Sequence, residues 1–143
     1  MMMKSIGIFY SFKTTKTAKI GEKIIDAFGD ENIEAFDAEV VTDEIFKKHD
    51  NIIVGVPTWF DGELPIYWDE FVPALEEIEL NGKKIAIFGL GDQKGYPENF
   101  NDGIGLFAQI VSKRGAEIVG YTSADGYEFE SSKALIDQKF CGL

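Results

Sequence analysis

The segment from Ser11 to Thr17 has the composition of an anion-binding loop. Hydroxyl groups and two lysines lie between a predicted strand and a predicted helix, in the run Ser11, Phe12, Lys13, Thr14, Thr15, Lys16 and Thr17. The first N–H groups of a helix have no partner within it, and the positive end of the helix dipole attracts anions. These residue types predict phosphate binding, although Ser and Thr are also common helix N-caps. Without the Gly-Lys-[Ser/Thr] ending of a P-loop, a nucleoside triphosphate is disfavoured.

Two further segments have the residue types to bind a flat ring. Trp59 and Phe60 stand beside Asp61 and Gly62, directly after an apolar run, and Tyr96 ends the polar segment that follows the next apolar run. Aromatic faces of this size either pack on the core or stack on a planar ligand. Two aromatics on neighbouring loops can enclose a ring, and the phosphate-binding segment beside them would hold its phosphate tail.

The elements that position these segments follow from the apolar pattern. Short apolar runs alternate with amphipathic stretches, which predicts strands at residues 5–10, 32–36, 51–56, 84–89 and 117–121 and helices at 17–28, 43–48, 67–78 and 100–111. Buried strands alternating with helices form a parallel sheet with helices on both faces. Ligands bind such a sheet at the carboxyl ends of its strands, where all three segments lie. We expect a single domain spanning residues 1–143.

Composition excludes several classes of function. The chain has 143 residues and a net charge of −11, from 25 acidic and 14 basic residues. The phosphate backbone of a nucleic acid repels such a chain, which all but excludes nucleic-acid binding as its main function. We expect no membrane span, because no apolar run reaches about 18 residues. We expect no signal peptide, because Met1 to Lys4 leads directly into a strand. The single cysteine, Cys141, cannot form an internal disulfide, which favours the cytoplasm.

The motifs closely resemble those of the flavodoxins, over Lys4 to Leu143. The residues that carry the resemblance are Thr14 and Thr17, then Pro57, Thr58 and Trp59 with Gly62, Glu63 and Leu64, then Gly91, Asp92 and Gln93 with Tyr96, Asn99 and Phe100. The resemblance implies a flavodoxin-like, doubly wound, five-stranded parallel sheet in the order 2-1-3-4-5, which is the order known for flavodoxin itself. The segment after Asp125 resembles the loop that interrupts strand five in long-chain flavodoxins.

The resemblance also implies one non-covalently bound FMN and assigns its contacts. The phosphate would be wrapped by Phe12, Lys13, Thr14, Thr15, Lys16 and Thr17, and the isoalloxazine ring would be flanked by Trp59 and Tyr96. Contacts to the polar edge of the ring would come from Thr58, Gly62, Leu90, Gly91 and Asp92, and contacts near the ring edge and ribityl chain from Asn99 and Asp102. The cofactor-binding set is completed by Pro57, Phe60, Asp61 and Phe100.

The phosphate segment departs from the family pattern. Phe12 stands where the family usually has a hydroxyl, and Thr15 stands where it usually has a glycine. Loss of the glycine restricts the backbone angles of the loop. Lys13 and Lys16 add positive charge to a usually neutral loop, which offsets part of that loss.

The resemblance implies an electron carrier, not an enzyme, and two other classes stay open. An FMN-dependent oxidoreductase of the quinone reductase type needs room for a second substrate, but no insertion supplies it and no His or Cys lies near the motif segments. A scaffold that has lost FMN would not need Trp59 and Tyr96. A phosphorelay receiver is excluded, because Tyr10-Ser11 and Pro57-Thr58 replace its acidic residues.

Charge indicates the kind of partner. Between His49 and Gly82 there are eight acidic residues and no Lys or Arg, a local charge of −8. Such a field steers basic redox proteins, such as flavoproteins of the ferredoxin-NADP reductase type, although a solvated acidic helix face is the alternative. His49 has no metal-binding partners in the sequence, so we expect a surface residue and no zinc site.

The C-terminal residues suggest an uncovered sheet face. Long-chain flavodoxins end with a helix that this chain does not reach at Leu143, and that helix would lie beside the one carrying Ile20, Ile24 and Phe28. The face should then expose apolar side chains, including some of Ile6, Ile8, Ile52 and Val54. An apolar patch of this kind implies self-association or a fold that relies on FMN for its stability.

Overall fold

The computed structural model describes residues 6–13, 15–29, 33–57, 64–89, 102–120, 122–123, 135–136, 139–140 and 142. Five parallel strands are β1 (Ile6–Tyr10), β2 (Ile33–Asp37), β3 (Asn51–Gly55), β4 (Lys84–Phe88) and β5 (Glu117–Val119). They form one sheet in the order β2-β1-β3-β4-β5, so the predicted α/β class and strand order are confirmed. The order reverses beside β1, which places the ends of β1 and β3 at the switch point.

Helices cover both faces of this sheet. They are α1 (Lys16–Phe28), α2 (Asp43–Phe46), α3 (Ile66–Leu75) and α4 (Asp102–Lys113), and a 3₁₀ turn spans Ala38–Val40. α1 ends at Gly29, whose positive φ of 77° suits a residue without Cβ. None of the described helices is long and apolar enough to cross a membrane.

The larger core lies between the sheet and helices α3 and α4. Trp68 is fully buried at its centre, with its ring centroid 4.8 Å from that of Phe107. Phe46 from α2 and Phe9 from β1 pack in the same cluster, at a centroid distance of 5.1 Å. This aromatic core holds α2, α3 and α4 on one side of the strands.

The smaller core lies on the other face, under α1. It consists of buried and half-buried apolar side chains from β1, β2, β3, β4 and α1: Ile8, Tyr10, Ile33 and Phe88, with Ile6, Ala18, Ile20, Ile24, Ile25 and Ile53 packed against them. Among the described residues, α1 is the only helix that contributes to this cluster. In the described part of the chain, one helix therefore covers this face, whereas α2, α3 and α4 pack on the other.

Some of four apolar side chains were expected to be exposed on the open face, and three of the four are buried. Ile8, Ile52 and Val54 are at most 1% exposed, and only Ile6 is half-buried. Ile52 and Val54 point into the core under α3 and α4, because side chains alternate between the two faces along β3. Ile8 does point toward α1, but that helix covers it.

Ile53 and Ala86 are instead the half-buried side chains in the middle of the α1 face. They are direct neighbours in the register of β3 and β4, so their side chains lie on the same face of the sheet. Central strands of a doubly wound sheet are normally buried on both faces. Among the described residues, this face is therefore covered less completely at Ile53 and Ala86 than at Ile8 on the neighbouring strand.

The C-terminal segment returns to the main sheet. Three short strands, β6 (Thr122–Ser123), β7 (Leu135–Ile136) and β8 (Lys139–Phe140), form a separate antiparallel sheet in the order β6-β8-β7. Beyond it, Gly142 packs so closely on β4 that an added Cβ would lie 2.5 Å from the carbonyl oxygen of Ile87. A small sheet inserted between β5 and this return agrees with the long-chain type of interrupted fifth strand.

Candidate functional site

The predicted phosphate segment connects β1 to α1 at the carboxyl edge of the sheet. Ser11 and Thr17 are buried at its two ends. Lys13, Thr15 and Lys16 are exposed between them, as is Phe12 with 49% of its surface accessible. The ring of Phe12 contacts that of Tyr10, edge to face, at a centroid distance of 5.1 Å. Five residues of the predicted phosphate-binding set, all except Thr14, are therefore described, and they lie together at one sheet edge.

The N-terminus of α1 suits an anion. Its N-cap residue, Thr15, has helical backbone angles, and its side chain makes no capping hydrogen bond. The first turn, residues 16–19, is described in full and contains Lys16 and Lys19 but no acidic residue. The positive end of the α1 dipole and the exposed Lys16 therefore place positive charge at this end of the helix. The residues present fit a phosphate.

Two carboxylates from the end of β2 contact the same segment. Asp37 Oδ1 accepts hydrogen bonds from the backbone N–H of Phe12, at 3.5 Å, and from that of Glu39, at 3.1 Å. The hydroxyl of Ser11 donates to Glu39 Oε2, and Lys13 Nζ lies 4.0 Å from Glu39 Oε1. Sequence reasoning missed both acidic residues, because nothing in their spacing relates them to a loop about 25 residues earlier.

The parallel pairing of β1 with β2 explains these contacts. Tyr10 and Asp37 are partners in the register, so the residues after each of them leave the sheet side by side.

The acidic groups Asp37 and Glu39 also influence Tyr67 on α3. Burial raises the pKa of the Tyr67 phenol, and the charges of Glu39 and then Asp37 raise it further. Negative potential therefore extends from the end of β2 to the start of α3.

The ends of β3 and β4 frame the predicted ring-binding segment. Trp68 Nε1 donates a 2.8 Å hydrogen bond to the carbonyl oxygen of Gly55, which ties α3 to the end of β3. The N–H of Val56 donates to the carbonyl oxygen of Phe88 at 2.7 Å, and Pro57 is buried after it. The three residues before 58–63 are thus held by buried contacts at the carboxyl edge of the sheet.

Asp102 is the last described member of the predicted set. Its side chain is 2% exposed in the first turn of α4, where the helix dipole favours a carboxylate. The remaining predicted contacts lie outside the described residues and stay predictions: Thr14, Thr58, Trp59, Phe60, Asp61, Gly62, Leu90, Gly91, Asp92, Tyr96, Asn99 and Phe100. The fold brings the loop after β1, the end of β3 and the start of α4 to one edge.

The expected surface position of His49 is wrong. Its ring is 4% exposed at the opposite, amino edge of the sheet, with its centroid 5.8 Å from that of Phe36. Within the part of the chain that the structure describes, no three His, Cys, Asp or Glu side chains form a group that could hold a metal ion. His49 is thus a core residue remote from the candidate site.

Comparisons with known proteins agree with this geometry. The flavodoxin family model matches residues 8–138. A flavodoxin from Nostoc sp. is 42% identical over 142 residues, which cover 99% of this chain and 84% of the relative. A flavodoxin from Klebsiella pneumoniae is also 42% identical, with 99% of this chain and 81% of the relative covered. The crystal structure of Fusobacterium nucleatum flavodoxin bound to flavin mononucleotide is similar, with a TM-score of 0.91 at 36% identity over 99% of this chain and 84% of that one.

Proposed function

This chain belongs to the flavodoxin family, and on that premise we propose that it binds one FMN at the carboxyl edge of its sheet and carries single electrons between redox proteins. The observation that carries the proposal is the loop from Phe12 to Thr17, which places the exposed Lys13 and Lys16 beside the N-terminus of α1 at the switch point of the sheet. Similar structures with FMN bound support the choice of this anion.

Different residues would contact the phosphate and the ring of FMN. The N–H groups at the start of α1, with Lys13 and Lys16, would hold the phosphate. Trp59 and Tyr96 would flank the ring and exclude water from its faces. Bound FMN supplies the redox chemistry, and the protein sets its exposure and its electrostatic surroundings. The acidic groups Asp37 and Glu39 add negative charge at the phosphate end of the site.

Flavodoxins are electron-transfer proteins, and we propose that this chain is one and not a quinone reductase. A carrier needs only an exposed ring edge, whereas a reductase needs a site for a second substrate. The cytoplasmic location inferred from the single cysteine stays a prediction.

The absorption spectrum of the purified protein tests the cofactor. We expect a flavin spectrum and release of FMN, not FAD, on denaturation. The apoprotein should regain the spectrum when FMN is added. A colourless protein whose apo form does not bind added FMN would overturn the proposal. Rapid, saturable oxidation of NADH or NADPH with a quinone by the isolated protein would favour the reductase instead.

We further propose that the partner is a basic redox protein. Asp69 and Glu70 are exposed near the start of α3, at the same edge as the candidate site, and no Lys or Arg lies between residues 49 and 82. Electron transfer to a basic reductase should slow as ionic strength rises from about 0.1 to about 0.5 M, where screening becomes strong.

Matched variants locate that surface. Asp69→Asn with Glu70→Gln should reduce the salt dependence more than Glu76→Gln with Glu77→Gln, which removes the same charge beyond the other end of α3. A rate without salt dependence, under conditions where association is limiting, would remove the electrostatic part of the proposal.

The half-buried pair Ile53 and Ala86 offers a second surface, through which we propose that two copies associate.

A further inference from the structure

The contacts between the end of β2 and the phosphate segment form a connected set, here named the carboxylate clamp: Ser11, Phe12, Lys13, Asp37 and Glu39. Asp37 Oδ1 accepts hydrogen bonds from the backbone N–H groups of Phe12 and Glu39. Glu39 accepts from the hydroxyl of Ser11 and lies 4.0 Å from Lys13 Nζ. The donors Ser11 and Phe12 and the cation Lys13 belong to the segment between β1 and α1, whereas the two carboxylates come from the end of β2 and the 3₁₀ turn after it.

We propose that Glu39 is an affinity-determining residue that competes with the phosphate group of FMN for Lys13, while Asp37 positions the loop. This inference rests on the proposed function, because it concerns the same site. A carboxylate beside a phosphate site repels the incoming anion and neutralises the lysine that would attract it. The clamp thus keeps the loop ordered when no phosphate is bound and weakens binding of the phosphate when it arrives.

The position of Glu39 is maintained mainly by Ser11. The Ser11 side chain is 1% exposed, so its hydroxyl is a buried donor that holds the carboxylate close to the loop. Lys13, in contrast, has 79% of its side chain exposed. An ion pair with so exposed a partner contributes little to stability. Loss of the ion pair with Lys13 should therefore leave the loop conformation largely unchanged. It should, however, change the electrostatic potential at the loop.

Because the charge of Glu39 affects the phosphate site more than it affects the loop conformation, removing that charge should strengthen FMN binding. Glu39→Gln keeps an oxygen that can accept from Ser11 but removes the negative charge. For two charges separated by several ångströms near a protein surface, Coulomb's law with a high effective dielectric predicts a change in affinity of about three- to tenfold. We therefore expect Glu39→Gln to bind FMN about three- to tenfold more tightly than the unmodified chain at low salt.

Titrations of the apoprotein with FMN and with riboflavin test the inference. Riboflavin lacks the phosphate, so Glu39→Gln should change its affinity by less than about twofold, within the usual effect of a surface substitution. The gain for FMN should shrink at about 0.5 M salt, where exposed charges are screened. The control is Glu34→Gln, which removes the same charge from β2 near His49, at the opposite end of that strand from the clamp.

A second variant keeps the test decisive if Glu39→Gln does not fold. Ser11→Ala releases the carboxylate from the loop and should tighten FMN binding in the same direction by a smaller factor. Equal tightening by Glu34→Gln, equal tightening for riboflavin, or no gain in either clamp variant would overturn the inference while leaving the proposed function intact. Absence of FMN binding by the unmodified chain would overturn both.

Discussion

The imidazole of His49 occupies the space that a side chain at residue 7 would need. A Cβ on Gly7 would lie 2.7 Å from His49 Cδ2 and 3.1 Å from Phe9 Cε1. Nε2 of the same ring lies 3.7 Å from Glu34 Oε1 on the neighbouring strand. The histidine is thus packed over β1, and the absence of a side chain at residue 7 is what allows it to be buried.

The first prediction concerns this contact. Glycine inside a strand is intrinsically unfavourable, so alanine at residue 7 would stabilise the chain if space were available. Because His49 fills that space, we expect Gly7→Ala to lower the free energy of unfolding by about 1–3 kcal/mol. In a double-mutant cycle with His49→Ala, measured by urea unfolding, much of this cost should disappear. A stabilising Gly7→Ala would contradict the packing described.

The second prediction concerns the bond between Trp68 and Gly55. Trp68→Phe removes the indole donor, leaves the Gly55 carbonyl without it and creates a small cavity, for a loss of about 2–4 kcal/mol in the free energy of unfolding. The control is Phe71→Leu, which changes an apolar contact in the same helix without breaking a hydrogen bond and should cost less. Equal losses in the two variants would show that the hydrogen bond contributes nothing.

The third prediction concerns alkaline pH. Burial, Glu39 and Asp37 raise the pKa of Tyr67 above its ordinary value of 10.0, so the folded chain retains a proton that the unfolded chain releases. The stability linked to Tyr67 is therefore fully present below pH 10 and is lost as pH rises above it. Tyr67→Phe should lose less stability over that range in chemical unfolding.

The alkaline loss should be reduced and not abolished in that variant, because Tyr10 behaves similarly. Burial and then the charge of Glu22 raise the pKa of Tyr10 as well. Phenolate absorbance followed in parallel supplies the check. If every tyrosine ionised near pH 10 while the chain stayed folded, the proposed environment of Tyr67 would be wrong.

The fourth prediction concerns the ring. If Trp59 and Tyr96 enclose the isoalloxazine, bound FMN should be almost non-fluorescent. Trp59→Ala should weaken FMN binding by more than about fivefold, since an aromatic stacking contact with its buried area is worth over about 1 kcal/mol. Phe60→Ala, which changes an adjacent aromatic without an assigned stacking role, should have a smaller effect. Unchanged affinity in both Trp59→Ala and Tyr96→Ala would exclude the enclosed ring.

The fifth prediction concerns the α1 face of the sheet. With Ile53 and Ala86 half-buried there, the sedimentation coefficient should rise with protein concentration, and the melting temperature should rise when FMN is added. Ile53→Asp should reduce association by placing a charge in the contact. If the chain stays monomeric at high concentration and its melting temperature does not change when FMN is added, this face needs neither a second copy nor FMN for its stability.

Features that depend on neighbours in the chain were determined by the sequence alone. The apolar run of β1 and the helical pattern of α1 are local, so the strand, the helix and the polar segment between them were predictable from Ile6 to Phe28. The strand order followed from the resemblance to the flavodoxins, and the sheet confirms it.

Features that depend on strand pairing were decided only by the tertiary structure. Sequence reasoning placed Ile52 on the open face, but side chains alternate along a strand, and the neighbouring Ile53 points there instead. It likewise left His49 on the surface, because nothing local shows that Gly7 opens a space for its ring. The contact of Glu39 with Ser11 exists because Tyr10 and Asp37 pair in the sheet, and no pattern within either segment specifies that pairing.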